Sequence, residues 1–199
     1  MSKYPTRFIA LLIVILSTTG LIFAQQTPTS GSYFVTNYTP KDYNAGTQNW
    51  EIVQDENGLI YVANRDGVLV FDGATWETVP LTLNTPLRSL AIDDNDRVYV
   101  GAVGQFGYIE PDSIGKLQFV SLSDEVDRTI ADVWEVHATQ NGIYFVTRPE
   151  IFRYADGELS SIMPENQFAR SFYVHDRVFV SVPAEGFVEL LVDEKSTVI

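Results

Sequence analysis

From Trp50 onward, short apolar runs alternate with polar turn residues, and they do so in a unit that recurs along the chain. The first unit, residues 50–80 (WEIVQDENGLIYVANRDGVLVFDGATWETVP), predicts four β segments at 51–54, 59–63, 68–71 and 75–79. Asn57-Gly58, Asp66-Gly67 and Asp72-Gly73 divide them, and such pairs accept the positive φ that tight hairpins demand. Further units occupy 88–122, 134–164 and 170–199. Tyr61, Tyr99, Tyr144 and Phe179 mark the same place in each, at intervals of roughly 40 residues. The second segment of every unit (LIYVA, RVYVG, IYFVT, RVFVS) is apolar on consecutive positions, as a strand covered on both faces reads.

Four-stranded units of this length, with strands buried between neighbours, predict an all-β fold of about four β-propeller blades that form part of a larger ring. A parallel β-helix has shorter coils without a hairpin at each step. A β-sandwich leaves the recurrence unexplained.

The N-terminal residues follow another pattern. Lys3 and Arg7 precede an unbroken apolar run from Phe8 to Leu16, and a second short run ends at Ala24. That order predicts a secretory signal peptide over 1–24, although Ile22 is bulkier than the usual small residue before a cleavage site. An uncleaved anchor is the alternative, but the run is shorter than the ~20 residues of a spanning helix. Residues 25–32 (QQTPTSGS) read as a polar linker, and 33–199 as the repeats. Residues 32–38 (SYFVTNY) predict an extra strand ahead of the first blade. The fourth unit already owns a fourth strand at 196–199, so that extra strand finds no vacancy unless a later blade is missing. This favours a fragment over a complete ring of four.

Charge narrows the partners. The chain carries 13 Lys+Arg against 26 Asp+Glu, a net charge of −13, which repels phosphate backbones and excludes nucleic acid as a partner. Cysteine is absent, so disulfides and thiolate metal centres are excluded. No phosphate-binding glycine loop, dinucleotide fingerprint, nucleophile elbow or H-E-x-x-H occurs, and no cofactor, metal or catalytic residue is expected.

The pattern W-E-I-x-Q-D-x-N-G-x-I-Y-V-A-N-x-x-G-V-L-V-F-D-G-x-x-W resembles the two-component regulator propeller family. The nearest likeness is to the N-terminal periplasmic sensor regions of Bacteroidetes-type membrane-spanning histidine kinases and transcriptional regulators. Asn37-Tyr38, Gln48-Asn49-Trp50 and the Gln54-Asp55-x-x-Gly58 corner carry the match. The resemblance covers about Tyr33 to Leu190; it is strong in the first unit and weak in the fourth, where the first hairpin shrinks to Val174-His175-Asp176-Arg177. It implies an exported, periplasmic, ligand-sensing module whose full-length protein is anchored in the inner membrane and can dimerise. Contact with the membrane is expected only through the signal segment or downstream parts absent here. Any kinase activity would lie in those parts.

At the start of the innermost strand the aligned column is Trp50, Arg88, Trp134 and Arg170. Indole faces stack on sugar rings and guanidinium forks grip carboxylate or sulfate, so a glycan-derived or anionic small ligand is the expected partner. The competing reading has both Trp filling space between blades and both Arg paired with nearby Asp. His137 and His175 read as packing residues on or beside strands. Asp93-Asp94-Asn95-Asp96 reads as a hairpin turn equivalent to Asp55-Glu56-Asn57-Gly58; it lacks the loop Gly and closing Glu of an EF-hand. Asp124-Glu125-x-Asp127 reads as a solvated loop. A secreted propeller enzyme acting on polysaccharide, or a protein-binding scaffold, are the alternatives to a sensor, and fold does not choose among them.

Overall fold

The computed structural model of the protein describes residues 34–163, 166–183, 185–190 and 197–198. The expected signal segment and linker lie outside them. Each repeat becomes one antiparallel four-stranded sheet, paired in chain order. The first holds β1 (Asn49–Gln54), β2 (Ile60–Asn64), β3 (Gly67–Phe71) and β4 (Trp76–Val79). The second holds β5 (Leu87–Ile92), β6 (Val98–Ala102), β7 (Gln105–Pro111) and β8 (Leu117–Ser121). The third holds β9 (Glu135–Thr139), β10 (Gly142–Val146), β11 (Ile151–Ala155) and β12 (Glu158–Ile162). The fourth holds β13 (Arg170–Val174), β14 (Arg177–Val182), β15 (Gly186–Glu189) and β16 (Thr197–Val198).

The first strands of successive sheets, β1, β5, β9 and β13, pack side by side as the inner edge. Between the sheets lie three apolar seams. Tyr61, Val68 and Val70 of the first sheet meet Leu90, Val98 and Val100 of the second. Tyr99 and Phe106 meet Val136, Phe145 and Phe152 in the next. Tyr144 and Ile151 meet Val178, Val180 and Val188 in the last. The strands β2, β6 and β10 are covered on both faces, which is why their sequences are apolar without alternation. In contrast, β14 alternates between buried and open positions, because one of its faces has no neighbouring sheet among the described residues.

The turn motif has a physical basis. Asp55 accepts hydrogen bonds from Leu59 N at 2.8 Å and from the Tyr61 hydroxyl at 3.2 Å. Asp93 does the same for Arg97 N at 2.9 Å and Tyr99 at 3.2 Å. One carboxylate thus closes the hairpin and anchors the tyrosine that fills the next seam. Burial and the adjacent carboxylate push both tyrosines up to about 12. The Asp93–Asp96 run is therefore a hairpin corner, and Asp96 Oδ1 also accepts from Glu56 N of the neighbouring sheet at 3.1 Å. Residues Ser123–Glu125 form a single 3-10 turn between the second and third sheets.

One expectation needs correction. No strand forms over residues 34–39. Instead Thr39 opens a short helix, α1 (Pro40–Tyr43), with the Asp42 carboxylate accepting from Thr39 N at 2.6 Å and Thr39 Oγ1 at 2.7 Å. That cap turns the chain away from an extended path, and Tyr38 and Tyr43 pack on Trp76. As the sequence predicts, the four sheets do not close into a ring of four among the described residues. Ile52 at the outer face of the first is 66% exposed and Phe187 at that of the fourth is 51% exposed.

Candidate functional site

The inner strands begin at one end of the sheets, here called the mouth. The ladder of β1 against β2 skips a residue between Asn49 and Ile52, and that of β5 against β6 skips one between Leu87 and Ser89. Such bulges re-aim a side chain that would otherwise follow the pleat. Trp50 and Arg88 sit in them. The Arg88 guanidinium lies 4.5 Å from the Trp50 ring centroid and 4.9 Å from that of Trp134. Arg148 also approaches the Trp134 ring, to 5.2 Å. Three sheets thus contribute to one alternating stack: Trp50, Arg88, Trp134, Arg148.

The stack divides labour. Arg88 is held between two indoles and paired with Asp132 at 3.5 Å, and its Nε is buried without a hydrogen-bond partner among the described residues. It is a structural spacer. Trp50, at 47% exposed, keeps a ring surface open at the mouth, and Arg148 is exposed on the turn between β10 and β11.

Arg170 does not join the row. Ala169 N donates to Ser181 O at 2.9 Å as Trp134 N does to Val146 O, so Ala169 is the structural equivalent of Trp134. Arg170 pairs with Ser181 as Glu135 pairs with Val146. The alignment of the fourth unit is therefore one residue out: its first hairpin has the same two-residue turn as that of the third unit, so the place of Trp134 falls on Ala169, one residue before the matching Arg. The Tyr144-to-Phe179 spacing carries the true register.

Behind the mouth runs a second row that the sequence reading missed: Glu51, Ser89, Glu135 and Arg170. Its first three members bond across to the following sheet. Glu51 Oε2 accepts from Ser89 Oγ at 2.6 Å and Leu90 N at 2.7 Å. Ser89 Oγ accepts from Val136 N at 2.9 Å. Ser171 Oγ donates to Glu135 Oε2 at 3.4 Å. His137 Nε2 lies 2.7 Å from the same Ser171 Oγ, inside the third seam. Burial drives the His137 imidazole down to about 4. Burial also raises the Glu135 carboxyl, against the pull of Arg170, Ser171 and Arg148. The dipeptides Trp-Glu, Arg-Ser, Trp-Glu at 50, 88 and 134 were the available signal for this row. His175 takes a separate role, with φ 49° in the two-residue turn beside Asp176.

A groove of about 500 Å³ lies at the opposite end between the second and third sheets. Hairpin corners line it, including Asp93, Asn95, Gln140, Asn141 and Asp156, and no group of three metal-ligating side chains occurs among the described residues.

No family model matches the chain, and no curated protein matches it. Solved structures do. Virginiamycin B lyase from Staphylococcus aureus superposes with a TM-score of 0.61 at 14% identity, over 77% of this chain and 55% of that one. The extracellular domain of BT4673, a hybrid two-component system of B. thetaiotaomicron, gives a TM-score of 0.52 at 17% identity, over 76% and 21%. That of BT3049, from the same organism, gives 0.53 at 14%, over 75% and 23%. The chain folds as β-propeller blades. These blades span about half the length of the lyase and less than a quarter of the two extracellular domains. Extracellular domains of two-component systems among the neighbours match the family resemblance read from the sequence. At such identities the likeness is one of fold, and an enzyme shares it with sensors. No helix among the described residues is long and apolar enough to cross a membrane.

Proposed function

We propose that the chain is an extracytoplasmic ligand-sensing propeller module of a bacterial signal-transduction regulator, with membrane-spanning and output modules supplied beyond these residues. The observation that carries the reading is the mouth stack, in which Arg88 lies between Trp50 and Trp134, with the half-exposed Trp50 indole at one end of the row and the exposed Arg148 guanidinium against Trp134 at the other. An open indole and an exposed guanidinium on the same row suit a glycan-derived ligand long enough to reach both and bearing a carboxylate or sulfate. Arg170, displaced from the row, has no part in it. Export is supported by the signal-like N-terminus, and the sensing role by the likeness to extracellular sensor domains.

A secreted enzyme is the second reading, supported by the fold shared with the lyase and by the contact of Ser171 with His137. Ser171 is 6% exposed, so its hydroxyl serves the seam between blades and offers no access to a substrate. The test is calorimetric titration of the protein with neutral, uronate-bearing and sulfated oligosaccharides, with chromatography of each mixture afterwards. Binding without turnover, weakened roughly tenfold (about 1.4 kcal/mol) by Trp50→Ala, is the expected result. Turnover, or affinity indifferent to both Trp50→Ala and Arg148→Ala, overturns the proposal.

A further inference from the structure

At the end opposite the mouth, a carboxylate joins the hairpin corners of successive blades. Glu56 N donates to Asp96 Oδ1 at 3.1 Å across the first seam, and Gln140 N donates to Asp176 Oδ1 at 3.1 Å across the third. Both aspartates stand just before the second strand of their blade and adopt positive φ, 61° and 60°. In the third blade that place belongs to Asn141, three residues before Tyr144 as Asp96 is before Tyr99. There the positive φ has passed to Gly142, at 124°, and no bond from the Asp94 corner to Asn141 occurs among the described residues. The second seam is therefore open at this end, and the groove of about 500 Å³ lies in the opening. Both of its walls are described blades, so it does not depend on what precedes the first blade or follows the fourth.

The wall of the third blade is fixed. Gly142 packs so closely on the next hairpin that a Cβ would meet Tyr154 O at 2.8 Å and the Ala155 Cβ at 2.9 Å, and Arg153 Nε donates to Asn141 O at 2.9 Å. On the other wall Asp93 is occupied by its own turn, where it accepts from Asn95 N, Arg97 N and the Tyr99 hydroxyl. What remains is unmatched charge of both signs. Asp94 and Arg97 line the groove from the second blade and Asp156 from the third, all three are exposed, and none joins an ion pair among the described residues.

A singly charged ligand leaves part of this lining unanswered: an anion meets Asp94 and Asp156, and a cation meets Arg97. A zwitterion answers both, and the volume lies within the roughly 300–1,000 Å³ of small-molecule sites. We propose that the groove binds a free α-amino acid. Its carboxylate is matched to Arg97 and to the corner that Asp96 and Asp176 serve at the other two seams, and its ammonium, with three donors, to Asp94 and Asp156. Asp94 carries both the corner N–H and a carboxylate, which calls for ligand charges as close together as those of an α-amino acid. The groove lies at the far end of the sheets from Trp50 and Arg148, so this site is independent of any ligand at the mouth.

Isothermal titration of the whole chain with glycine, L-serine and L-glutamine tests this, with acetate, methylamine and glucose as singly charged and neutral controls. The amino acids are expected to bind, and each control to bind at least about tenfold more weakly. Asp94→Asn and Arg97→Gln, both at exposed positions, are each expected to weaken amino-acid binding about tenfold while keeping the wild-type circular dichroism spectrum. Failure of every amino acid to bind overturns the proposal. So does an affinity that acetate or methylamine matches, the mark of one charge acting alone, or that glucose matches, the mark of hydroxyl recognition. An affinity that both substitutions leave untouched overturns it as well.

Discussion

Acidification should loosen the seam between the third and fourth blades through one imidazole. In the unfolded chain His137 takes up a proton near its ordinary value of 6.5, whereas in the folded chain burial holds it down to about 4. The unfolded state therefore binds more protons throughout that interval, and stability falls as the pH drops from 6.5 towards 4. At 1.36 kcal/mol per pH unit the full effect is about 3 kcal/mol, a sizeable part of the 5–15 kcal/mol that ordinarily separates folded from unfolded domains. Glu135 acts in the opposite sense. Its raised folded value means that the native state gains a proton first, so its contribution improves on acidification. Subtraction separates the two. His137→Gln keeps a side-chain donor towards Ser171 and carries no titrating ring. Urea unfolding of both proteins at pH 7 and pH 4.5 should show the wild type losing about 2–3 kcal/mol more than the variant. Equal losses in the two proteins would refute the reasoning, since the pH dependence would then come from carboxylates elsewhere.

Two further substitutions test the packing that positions the mouth. Arg88→Ala removes the spacer between Trp50 and Trp134 and strips Asp132 of its ion-pair partner; it should cost about 1–3 kcal/mol in urea unfolding, with Arg88→Lys recovering only part because an ammonium cannot lie flat between two indoles. Gly101→Ala places a methyl 2.7 Å from both Val133 Cγ1 and Val136 Cγ2, so the second seam must open slightly, and a thermal melt should show a loss of about 1–3 kcal/mol. Unchanged melting for Gly101→Ala means that the third blade yields freely there.

The blades were legible because each obeys local rules that repeat. Asp55 and Asp93 cap their hairpins with bonds to residues only a few positions away, and Tyr61 and Tyr99 answer them six residues later, so the motif lies on the surface of the sequence. The mouth was half legible. Trp50, Arg88 and Trp134 share a row as their column predicts, but Arg170 does not, because the fourth unit keeps the hairpin length of the third and so puts Ala169 in the row and Arg170 one place further along β13. A single-residue slip exchanges the faces of a strand, and a column of matching letters cannot detect it. Arg148 was missed for a different reason. It lies on the turn after β10, so its approach to Trp134 is a matter of three-dimensional fold and has no spacing to betray it. The expected N-terminal strand failed because its alternation was short and the Thr39–Asp42 cap overrode it.

Binding and stability meet at Arg88, and this sets how the site must be probed. Its charge is spent on two indoles and on Asp132, so it has little left for a ligand. Removing it would nonetheless abolish binding, since Trp50 and Trp134 would lose the element that sets their separation. Loss of affinity in Arg88→Ala therefore says nothing about contact. Trp50 and Arg148 are informative because each has an open side: truncating either removes surface from the mouth while Arg88 stays pinned by its remaining partners. A ligand that stacks on Trp50 should lose affinity in Trp50→Ala with the unfolding midpoint shifted far less than in Arg88→Ala. Were the two midpoints to fall together, the open face of Trp50 would be part of the packing after all, and the stack would be a strut between blades with no pocket attached.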